Sequence, residues 1–585
     1  MPTFQERFAN FLDEYLPLHP TVATSIGDHR YDDRWPDVSE AGRQVRLAFI
    51  DRWLTELRAL PTADLATDDA VDRDLLVMEL EAERFGETEL RDETWDPLTW
   101  IYLIGDGIFT LIARDFAPLA DRLTSVAGRL EGLPALLDGA KAALEGPGDG
   151  RPVGRFQTEK ALEQLPGVAE LTDDALAEAE RAAPEDAAVA GVRDRLAAGA
   201  TLARAALADF EAHLRDDVLP RSEGEGRLGP DLFARKMRHT MRSESMTAER
   251  VLTAAEGEFD AVRAELIRLA RDLWPRWRRG APLPGDDGAV VRGVLDAIAA
   301  EHPKAEDLLD FCRAETARIE AFCRDHDLIE LAEDPLEIRW TPTFLRAFGG
   351  AMLIPPGPLD KGQKAFFAIT PMPDEWPPER KESYLREDNA RMLRLLTIHE
   401  AVPGHYLQGV YANRSESLAR AIFWSGVFAE GWAVYVTQVM MDVGYGADDG
   451  ALLLTHWKFY LRAVTNAVID ARIHTGGMTE DEAVALMVEG GFQEEAEARA
   501  KYDRARLSST QLSTYFAGSM EMWDIELEAR RRAATAAGAD PSAIEPRGLP
   551  GGFGATPGFH YRPHLESVIA HGSPPTSLIR RILFG

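Results

Sequence analysis

Apolar residues recur at the spacing of one helix face along most of the chain, and polar residues fill the positions between them. Runs of strand-forming residues are convincing only within residues 328–372, a stretch rich in proline, glycine and aromatic side chains. The pattern therefore predicts a mainly α-helical protein with a small β-sheet near the middle of the chain.

Glycine- and proline-rich segments interrupt the helical pattern at residues 146–154, 274–288 and 548–558, and we interpret them as loops. The simplest division is a helical N-terminal region, residues 1–326, and a C-terminal region, residues 327–585, which carries the candidate chemistry. No composition change marks a firm boundary, so the two could form one continuous domain. The predicted helices cover residues 3–16, 40–60, 68–85, parts of 115–145, 157–183, 187–217, 247–273, 304–325, much of 383–534 and a short segment after residue 575.

One run, residues 421–441, is apolar enough to resemble a membrane span. It has a carboxylate, Glu430, at its midpoint and no basic anchors at its ends, so we interpret it as a buried helix. The first sixteen residues include Glu6 and Asp13 and lack the basic start and apolar core of a secretory signal. These features predict a cytoplasmic protein.

Charge and cysteine content narrow the choice of function. The formal net charge is −33, so the chain offers no basic field to nucleic acid or to an anionic membrane surface. Cys312 and Cys323 lie on one predicted helix, about 16 Å apart along its axis, which is too far for a disulfide. They are expected to be free thiols, as in a reducing compartment.

The segment HEAVPGH, residues 399–405, carries the strongest chemical signal. On a regular helix the spacing would rotate His405 by about 240° from His399, so that one ion could not reach both. Pro403 has no N–H and breaks the helix, and Gly404 permits the unusual dihedral angles that follow. A bulge at these two residues would return His405 to the face of His399.

Glu430 is the third candidate ligand. It is an isolated carboxylate in an apolar helix, where it needs a partner such as a cation. Two histidines, one glutamate and an open position form a recognised catalytic zinc set. We therefore predict a Zn²⁺ site at His399, His405 and Glu430, with Glu400 beside it as the base that accepts a proton from water.

The segments HEAVPGH and AEGWAVY together resemble the bacterial domain-of-unknown-function family 885, a family of zincin-like metallopeptidases. The opening segment and the segments VIDARIH and STYFAGSM are also similar to the family, so the resemblance covers nearly the whole chain. It implies a zinc-peptidase fold of mostly helices around a cleft, with His399, His405 and Glu430 as ligands and Glu400 as the base.

Two positions depart from the family pattern. Thr437 stands where a second acidic residue is expected, which puts the hydrogen-bond partner of a zinc-binding histidine in doubt. The segment DARIH stands where D-T-G-L-H is expected, and it keeps Asp470 and His474. Asp470 could orient His474 for oxyanion stabilisation or substrate binding; alternatively, the two form a local pair that supports packing.

Three further candidates have two interpretations each. Tyr515 is either a phenol donor to the oxyanion, with Gly518 allowing close approach, or a core tyrosine. Arg462 is either a partner for a substrate carboxylate or part of a helix-surface salt bridge. The strand AFFAIT, residues 365–370, either binds an extended peptide by edge pairing or lies inside the sheet. Three histidines lack a ligand-like partner set and are expected to be structural: His560, His564 and His571.

The leading hypothesis is a zinc-dependent hydrolase of short peptides, of the oligopeptidase or carboxypeptidase type, in which Tyr515 and His474 hold the oxyanion. The same chemistry could cleave another amide or an ester. A protein of a different class would keep the fold without turnover, as a helical binding protein, or bind no metal and be purely structural. The intact Glu400 argues against loss of turnover.

Overall fold

A computed structural model describes residues 3–61, 65–145, 151–348, 350–548 and 551–585. Within these residues the chain forms α-helices α1 to α25 and one three-stranded β-sheet. The prediction of a mainly helical protein with a small sheet is confirmed. Parts of two predicted loops, residues 146–150 and 549–550, lie outside the described residues.

The chain folds as two compact units. The first unit comprises Met1–Arg227, Pro342–Phe348 and Pro356–Lys364, and the second comprises Leu228–Thr341, Gly349–Pro355 and Ala365–Gly585. The division after residue 227 differs from the simple sequence division after residue 326, because the helices between them pack on helices of the second unit. The assignment of residues 327–585 as the functional region stays a prediction.

The first unit is built from helices with apolar inner faces. Its first helix starts with a capping box, in which the Thr3 side chain accepts from the Glu6 N–H and the Glu6 carboxylate accepts from the Thr3 N–H. That helix buries Phe4, Phe8 and Phe11. The helices of this unit are α1 Phe4–Tyr15, α2 Pro20–Ile26, α3 Glu40–Arg58, α4 Thr67–Phe85, α5 Asp92–Trp95, α6 Leu98–Ala113, α7 Leu119–Leu144, α8 Arg155–Ala182, α9 Ala187–Ala212 and α10 Leu219–Arg221.

The second unit contains the larger set of helices and a continuous apolar core. Trp432, Tyr435 and Phe516 are among its largest fully buried side chains. The helices of this unit are α11 Pro230–Met241, α12 Ala248–Trp277, α13 Asp287–Ala299, α14 Leu308–Asp325, α15 Pro378–Glu387, α16 Ala390–Glu400, α17 His405–Asn413, α18 Leu418–Ile422, α19 Gly426–Asp442, α20 Gly450–Gly476, α21 Glu480–Ala485, α22 Glu495–Leu507, α23 Ser513–Ala536, α24 Tyr561–Ile569 and α25 Thr576–Phe584.

The sheet lies in the second unit and has the order β1-β3-β2, with β1 Leu336–Trp340, β2 Ala351–Ile354 and β3 Ala365–Ile369. Strand β3 pairs with β1 in parallel and with β2 in antiparallel register. Both edges of β3 are therefore occupied, and every residue of it is buried. Edge pairing of a peptide along this strand is wrong as a prediction, and the interior-strand alternative is confirmed.

The apolar run at residues 421–441 forms the end of α18 and most of α19. Nearly all side chains of α19 are buried inside the second unit, as the midpoint carboxylate predicted. No helix of the described chain is both long enough and apolar enough to cross a membrane. Cys312 and Cys323 are both buried on α14 and form no disulfide, so the free-thiol prediction is confirmed.

Candidate metal centre

The helix break at Pro403 and Gly404 occurs where the histidine spacing requires it. Helix α16 ends at Glu400 and α17 begins at His405, so the prediction of a broken helix is confirmed. The Gly404 N–H donates to the Ile398 carbonyl oxygen at 3.0 Å, which folds the connection back onto α16. A Cβ atom at Gly404 would lie 1.9 Å from the His399 carbonyl oxygen, so only glycine fits.

Three side chains converge beside this break. Nε2 of His399 lies 3.5 Å, and Nε2 of His405 lies 3.3 Å, from Oε2 of Glu430. Their potential ligand atoms all lie within 4.8 Å of one another. The two imidazole rings are nearly perpendicular, at 83°. We call His399, His405 and Glu430 the metal cluster.

Helix α19 presents Glu430 to the histidines because it is held on both sides. On one side, Trp432 donates its indole N–H to the Pro403 carbonyl oxygen at 2.9 Å. On the other side, α19 packs on α23 where Gly431 meets Gly518: a Cβ at Gly431 would lie 2.3 Å from the Gly518 backbone. The Gly431–Gly518 crossing brings α23 close to Glu430.

The hydrogen bonding of the metal cluster is incomplete. Oε2 of Glu430 and Nδ1 of His399 are buried and have no hydrogen-bond partner among the residues described. An ion bound by the cluster would satisfy Oε2 of Glu430, whereas Nδ1 of His399 lies on the other side of the ring from the nitrogen that faces Glu430. Two imidazole nitrogens and one carboxylate oxygen are also the donor set of catalytic zinc sites, so these residues fit Zn²⁺.

Charge within the metal cluster is complementary. Burial favours the neutral form of Glu430, but His405 and His399 outweigh it and hold the pKa of this carboxyl well below its usual range. Burial lowers the pKa of His405, and the charges of Glu430 and Glu400 outweigh this effect and raise it. The cluster is therefore organised around an ionised carboxylate.

Glu400 lies next to the metal cluster at the end of α16. It is 6% exposed, and its Oε2 is buried without a hydrogen-bond partner in the described chain. It directly follows His399 in the chain, and its charge contributes to the raised pKa of His405, so Glu400 is the carboxylate beside the metal cluster that is not itself a candidate ligand.

Tyr515 reaches the same place from α23. Its ring stacks over His399 with a centroid distance of 6.2 Å and an interplanar angle of 16°. Burial, assisted by the charge of Glu430 and opposed by Arg504, raises the pKa of Tyr515 to about 12. The phenol therefore keeps its proton at neutral pH and can donate a hydrogen bond.

Arg504 belongs to this site and was missed by the sequence analysis. Its Nη2 donates to the Tyr515 hydroxyl at 3.0 Å. The available signal was a row of charged residues at helical spacing on α22, Glu497, Lys501 and Arg504, in which Lys501 is buried. Charges that share a buried helix face indicate a polar centre rather than a solvated surface.

The structure does not place Asp470 and His474 at the metal cluster, and the oxyanion role predicted for His474 is corrected. His474 is 2% exposed; its Nδ1 accepts from the Leu228 N–H at 3.2 Å, and its Nε2 donates to the Ala505 carbonyl oxygen at 2.9 Å. Both ring nitrogens are thus used by backbone groups. Nε2 of His474 lies 4.0 Å from Oδ1 of Asp470, and we call these two residues the Asp470–His474 pair.

Asp470 fixes the turn before α23. It accepts hydrogen bonds from the backbone N–H groups of Thr510 and Ser513, each at 3.0 Å, and from the Ser513 hydroxyl at 2.6 Å. Burial raises the pKa of Asp470 to about 6, against these hydrogen bonds. The Asp470–His474 pair therefore holds the segment that joins Arg504 to Tyr515.

Arg462 forms salt bridges, and they are part-buried between helices rather than on the exposed helix surface. It contacts Glu387 at 3.5 Å and Glu497 at 3.0 Å. Thr437, where an acidic residue was expected, donates to the Ala433 carbonyl oxygen of its own helix at 2.8 Å. Nε2 of His564 lies 3.2 Å from the Tyr435 hydroxyl, in keeping with a structural role.

The fold and site define a mainly helical protein with a two-histidine, one-glutamate cluster at a helix break. The chain belongs to the family described as "Bacterial protein of unknown function (DUF885)", which matches residues 20–543. No curated protein matches the sequence.

Two solved structures are similar over the whole chain. A candidate lipoprotein of unknown function from Shewanella oneidensis has 30% sequence identity and a TM-score of 0.80, with 100% of both chains covered. A candidate lipoprotein from Colwellia psychrerythraea has 14% identity and a TM-score of 0.78, with 100% of this chain and 99% of that chain covered. The second likeness concerns the fold alone.

The prediction of a cytoplasmic protein is wrong, because the Shewanella oneidensis protein, 30% identical over the whole chain, is described as a lipoprotein. It rested on the acidic first residues and on the free cysteines. Burial raises the pKa of both Cys312 and Cys323 to about 12, so these thiols are unreactive and do not report the redox state of a compartment.

Proposed function

We propose that this protein is a zinc-dependent hydrolase of short peptides, with the ion held by His399, His405 and Glu430. The observation that supports this most is that three potential ligand atoms lie within 4.8 Å of one another beside a helix break. The break needs Gly404, where a Cβ atom would clash with the His399 carbonyl oxygen. When bound, zinc would polarise a carbonyl group and make water a stronger acid.

Two groups of the chain would move or hold protons. Glu400, buried beside His405, would accept a proton from water and deliver it to the leaving amine. Tyr515, protonated at neutral pH, would donate a hydrogen bond to the oxygen that becomes negative when the carbonyl is attacked. Each group has a separate task, so each can be tested alone.

The choice of peptides as substrates rests on the resemblance of HEAVPGH and AEGWAVY to zincin-like metallopeptidases. Another amide or an ester would need the same base and the same oxyanion donor. A screen of short peptides and simple esters by mass spectrometry distinguishes these substrates.

Glu400→Gln tests the function, with Glu416→Gln, an exposed glutamate after α17, as the matched control. We expect both variants to bind one equivalent of zinc, and only the first to lose about 10²- to 10⁴-fold in peptide hydrolysis. Unchanged hydrolysis in Glu400→Gln would show that the assigned base is wrong. Absence of zinc uptake by the unaltered protein would contradict the proposal as a whole.

A further inference from the structure

Arg504 is a cation without a carboxylate partner in the part of the chain that the structure describes. Its Nη2 donates to the Tyr515 hydroxyl at 3.0 Å and to Oε1 of Gln511 at 3.1 Å. Its Nε is buried and has no hydrogen-bond partner there. A guanidinium carries five N–H donors, so the donors on Nε and Nη1 are free for a ligand.

The neighbouring cations differ from Arg504 in this respect. Arg462 and Lys501 both form ion pairs with Glu497, at 3.0 Å and 3.3 Å. Arg462 also pairs with Glu387 at 3.5 Å, so Arg504 is the cation of this group with no carboxylate of its own in the described chain. A half-buried guanidinium with no carboxylate partner in the described chain favours an anionic ligand.

Arg504 also lies next to the proposed hydrolytic centre. The hydroxyl that it contacts belongs to the phenol stacked over His399. Burial lowers the pKa of Arg504, but Tyr515, Glu430 and Glu497 outweigh it and raise the pKa, so the charge of Glu430 reaches this guanidinium. Tyr515 therefore links the two, since its ring stacks over His399 and its hydroxyl accepts from Arg504.

This position matches the length of one amino-acid residue. In a peptide, successive residues repeat every ~3.8 Å. If the Tyr515 hydroxyl contacts the oxygen of the bond being cleaved, a guanidinium 3.0 Å from that hydroxyl lies within reach of the residue next to that bond. When the residue after the cleaved bond is the last one, its α-carboxylate falls beside Arg504.

We infer that Arg504 binds the C-terminal carboxylate of short peptides, so that the protein removes single residues from the carboxyl end. This inference rests on the proposed function and adds the substrate class. A carboxylate on an acidic side chain at the last position has the same chemistry, and the test must separate the two sources.

Four N-acetylated tripeptides provide that test: one ending in alanine, as the free acid and as the amide, and the amides of peptides ending in aspartate and asparagine. We expect the free acid to be cleaved with a kcat/KM about 10- to 100-fold above that of its amide, the range for a hydrogen bond to a charged group. Released alanine should be the product. Equal cleavage of acid and amide overturns the inference, and preference for the aspartate amide over the asparagine amide without a preference for the free acid assigns Arg504 to the side chain.

Variants of α22 give the second arm. Arg504→Gln should lower kcat/KM for the free acid about 10- to 100-fold more than for the amide, so that the ratio of the two approaches one. Arg504→Lys keeps the charge and should retain part of the preference. Arg499→Gln is the control, because Arg499 is exposed on the same helix and pairs with Glu495 and Glu480. Loss of the preference in Arg499→Gln, or its persistence in Arg504→Gln, contradicts the assignment.

Calorimetric binding to zinc-free protein separates this inference from the function on which it rests. We expect the free-acid peptide to bind about 10- to 100-fold more tightly than the amide, and Arg504→Gln to remove the difference. Equal affinities overturn the inference alone. If the difference persists in a protein that takes up no zinc, carboxylate binding stands and the hydrolase proposal fails.

Discussion

The metal cluster and the Asp470–His474 pair both bury a histidine and an acid in the second unit, yet their hydrogen bonding differs. In the pair, backbone groups satisfy both nitrogens of His474 and both oxygens of Asp470. In the metal cluster, Oε2 of Glu430 and Nδ1 of His399 have no partner in the described chain. The comparison teaches that burial and residue type alone do not mark a candidate ligand site: the pair is fully hydrogen-bonded, whereas Oε2 of Glu430 faces two histidines and keeps capacity for an ion.

The two regions are nevertheless connected through the chain. The Asp470–His474 pair holds the segment from Ala505 to Ser513, which joins the end of α22 to the start of α23. Arg504 and Tyr515 flank this segment. The structural pair therefore serves the metal cluster by positioning the residues beside it.

Removing the carboxylate of the metal cluster should have the largest effect. Glu430→Gln keeps the size of the side chain and removes the negative charge, so we expect zinc content to fall from about one equivalent towards none. Peptide hydrolysis should fall by about 10³-fold or more. Metal analysis and a peptide assay measure both. If zinc content and hydrolysis persist, His399, His405 and Glu430 do not hold the metal.

Gly404→Ala tests the helix break. The added Cβ would meet the His399 carbonyl oxygen at 1.9 Å, so the backbone must shift. We expect zinc affinity to fall by about 10- to 100-fold, as when groups that orient a ligand are lost. Gly409→Ala is the control, because its nearest neighbour would be Cβ of Pro355 at 3.8 Å. Equal zinc affinity in the two variants would show that the break does not orient the histidines.

Tyr515→Phe should leave the metal cluster intact and lower turnover. Loss of one oxyanion donor typically reduces kcat by about 10²-fold, and KM should change little. Tyr411→Phe removes a hydroxyl that donates to the Glu330 carbonyl oxygen, away from the metal cluster, and it should be neutral. An unchanged kcat in Tyr515→Phe would show that Tyr515 is a core tyrosine and does not donate to the oxyanion.

Asp470→Asn should disturb the Asp470–His474 pair directly. It should affect the metal cluster only through a displacement of Tyr515. Three hydrogen bonds to the carboxylate are disturbed, so we expect a local loss of about 2–4 kcal/mol. Hydrogen exchange of residues 505–515 should accelerate, and kcat should fall about 10-fold, because a displaced Tyr515 loses part of its hydrogen bond. Asp481→Asn, exposed on α21, is the control. Unchanged exchange at residues 505–515 would remove the link between the two regions.

His29 in the first unit extends the comparison to a histidine with two acidic partners. Its Nδ1 and Nε2 contact Asp32 at 2.8 Å and Asp360 at 2.9 Å. Burial lowers the pKa of His29, but the two aspartates outweigh it and raise the pKa to about 9. The ion pairs therefore stabilise the fold fully below pH ~6.5, and this contribution is lost as the pH rises through about 9.

His29→Gln should therefore destabilise the first unit at pH 6 by about 1–2 kcal/mol and have little effect at pH 10. Hydrogen exchange of residues 20–32 at the two pH values measures the difference. Zinc binding should not change. An equal effect at both pH values would show that packing on Phe116, rather than charge, is what His29 contributes.

The sequence predicted the helical class, the small sheet and the break at Pro403 and Gly404, because each depends on local chemistry. It also placed His399, His405 and Glu430 together, because a bulge at Pro403 and Gly404 brings the two histidines to one helix face, where Glu430 can meet them. Strand AFFAIT could not be placed inside or at the edge of the sheet from its own residues. That position depends on which strands pair with β3. The sequence of β3 does not show that β1 and β2 lie on its two sides.

The errors at the site have the same origin. The four-residue spacing of Asp470 and His474 shows that they share a helix face, but not which neighbour that face meets. Arg504 escaped notice because its importance comes from α22 packing beside α23, where Tyr515 lies. Contacts between helices far apart in the chain are tertiary facts, and spacing along one helix does not contain them.

An anomalous-scattering map of zinc-treated crystals, recorded above and below the zinc edge, tests the central claim most directly. The account predicts one peak in the second unit, at about 2.0–2.2 Å from Nε2 of His399, Nε2 of His405 and a carboxylate oxygen of Glu430. A fully occupied peak elsewhere, or none at these three residues at saturating zinc, would contradict it.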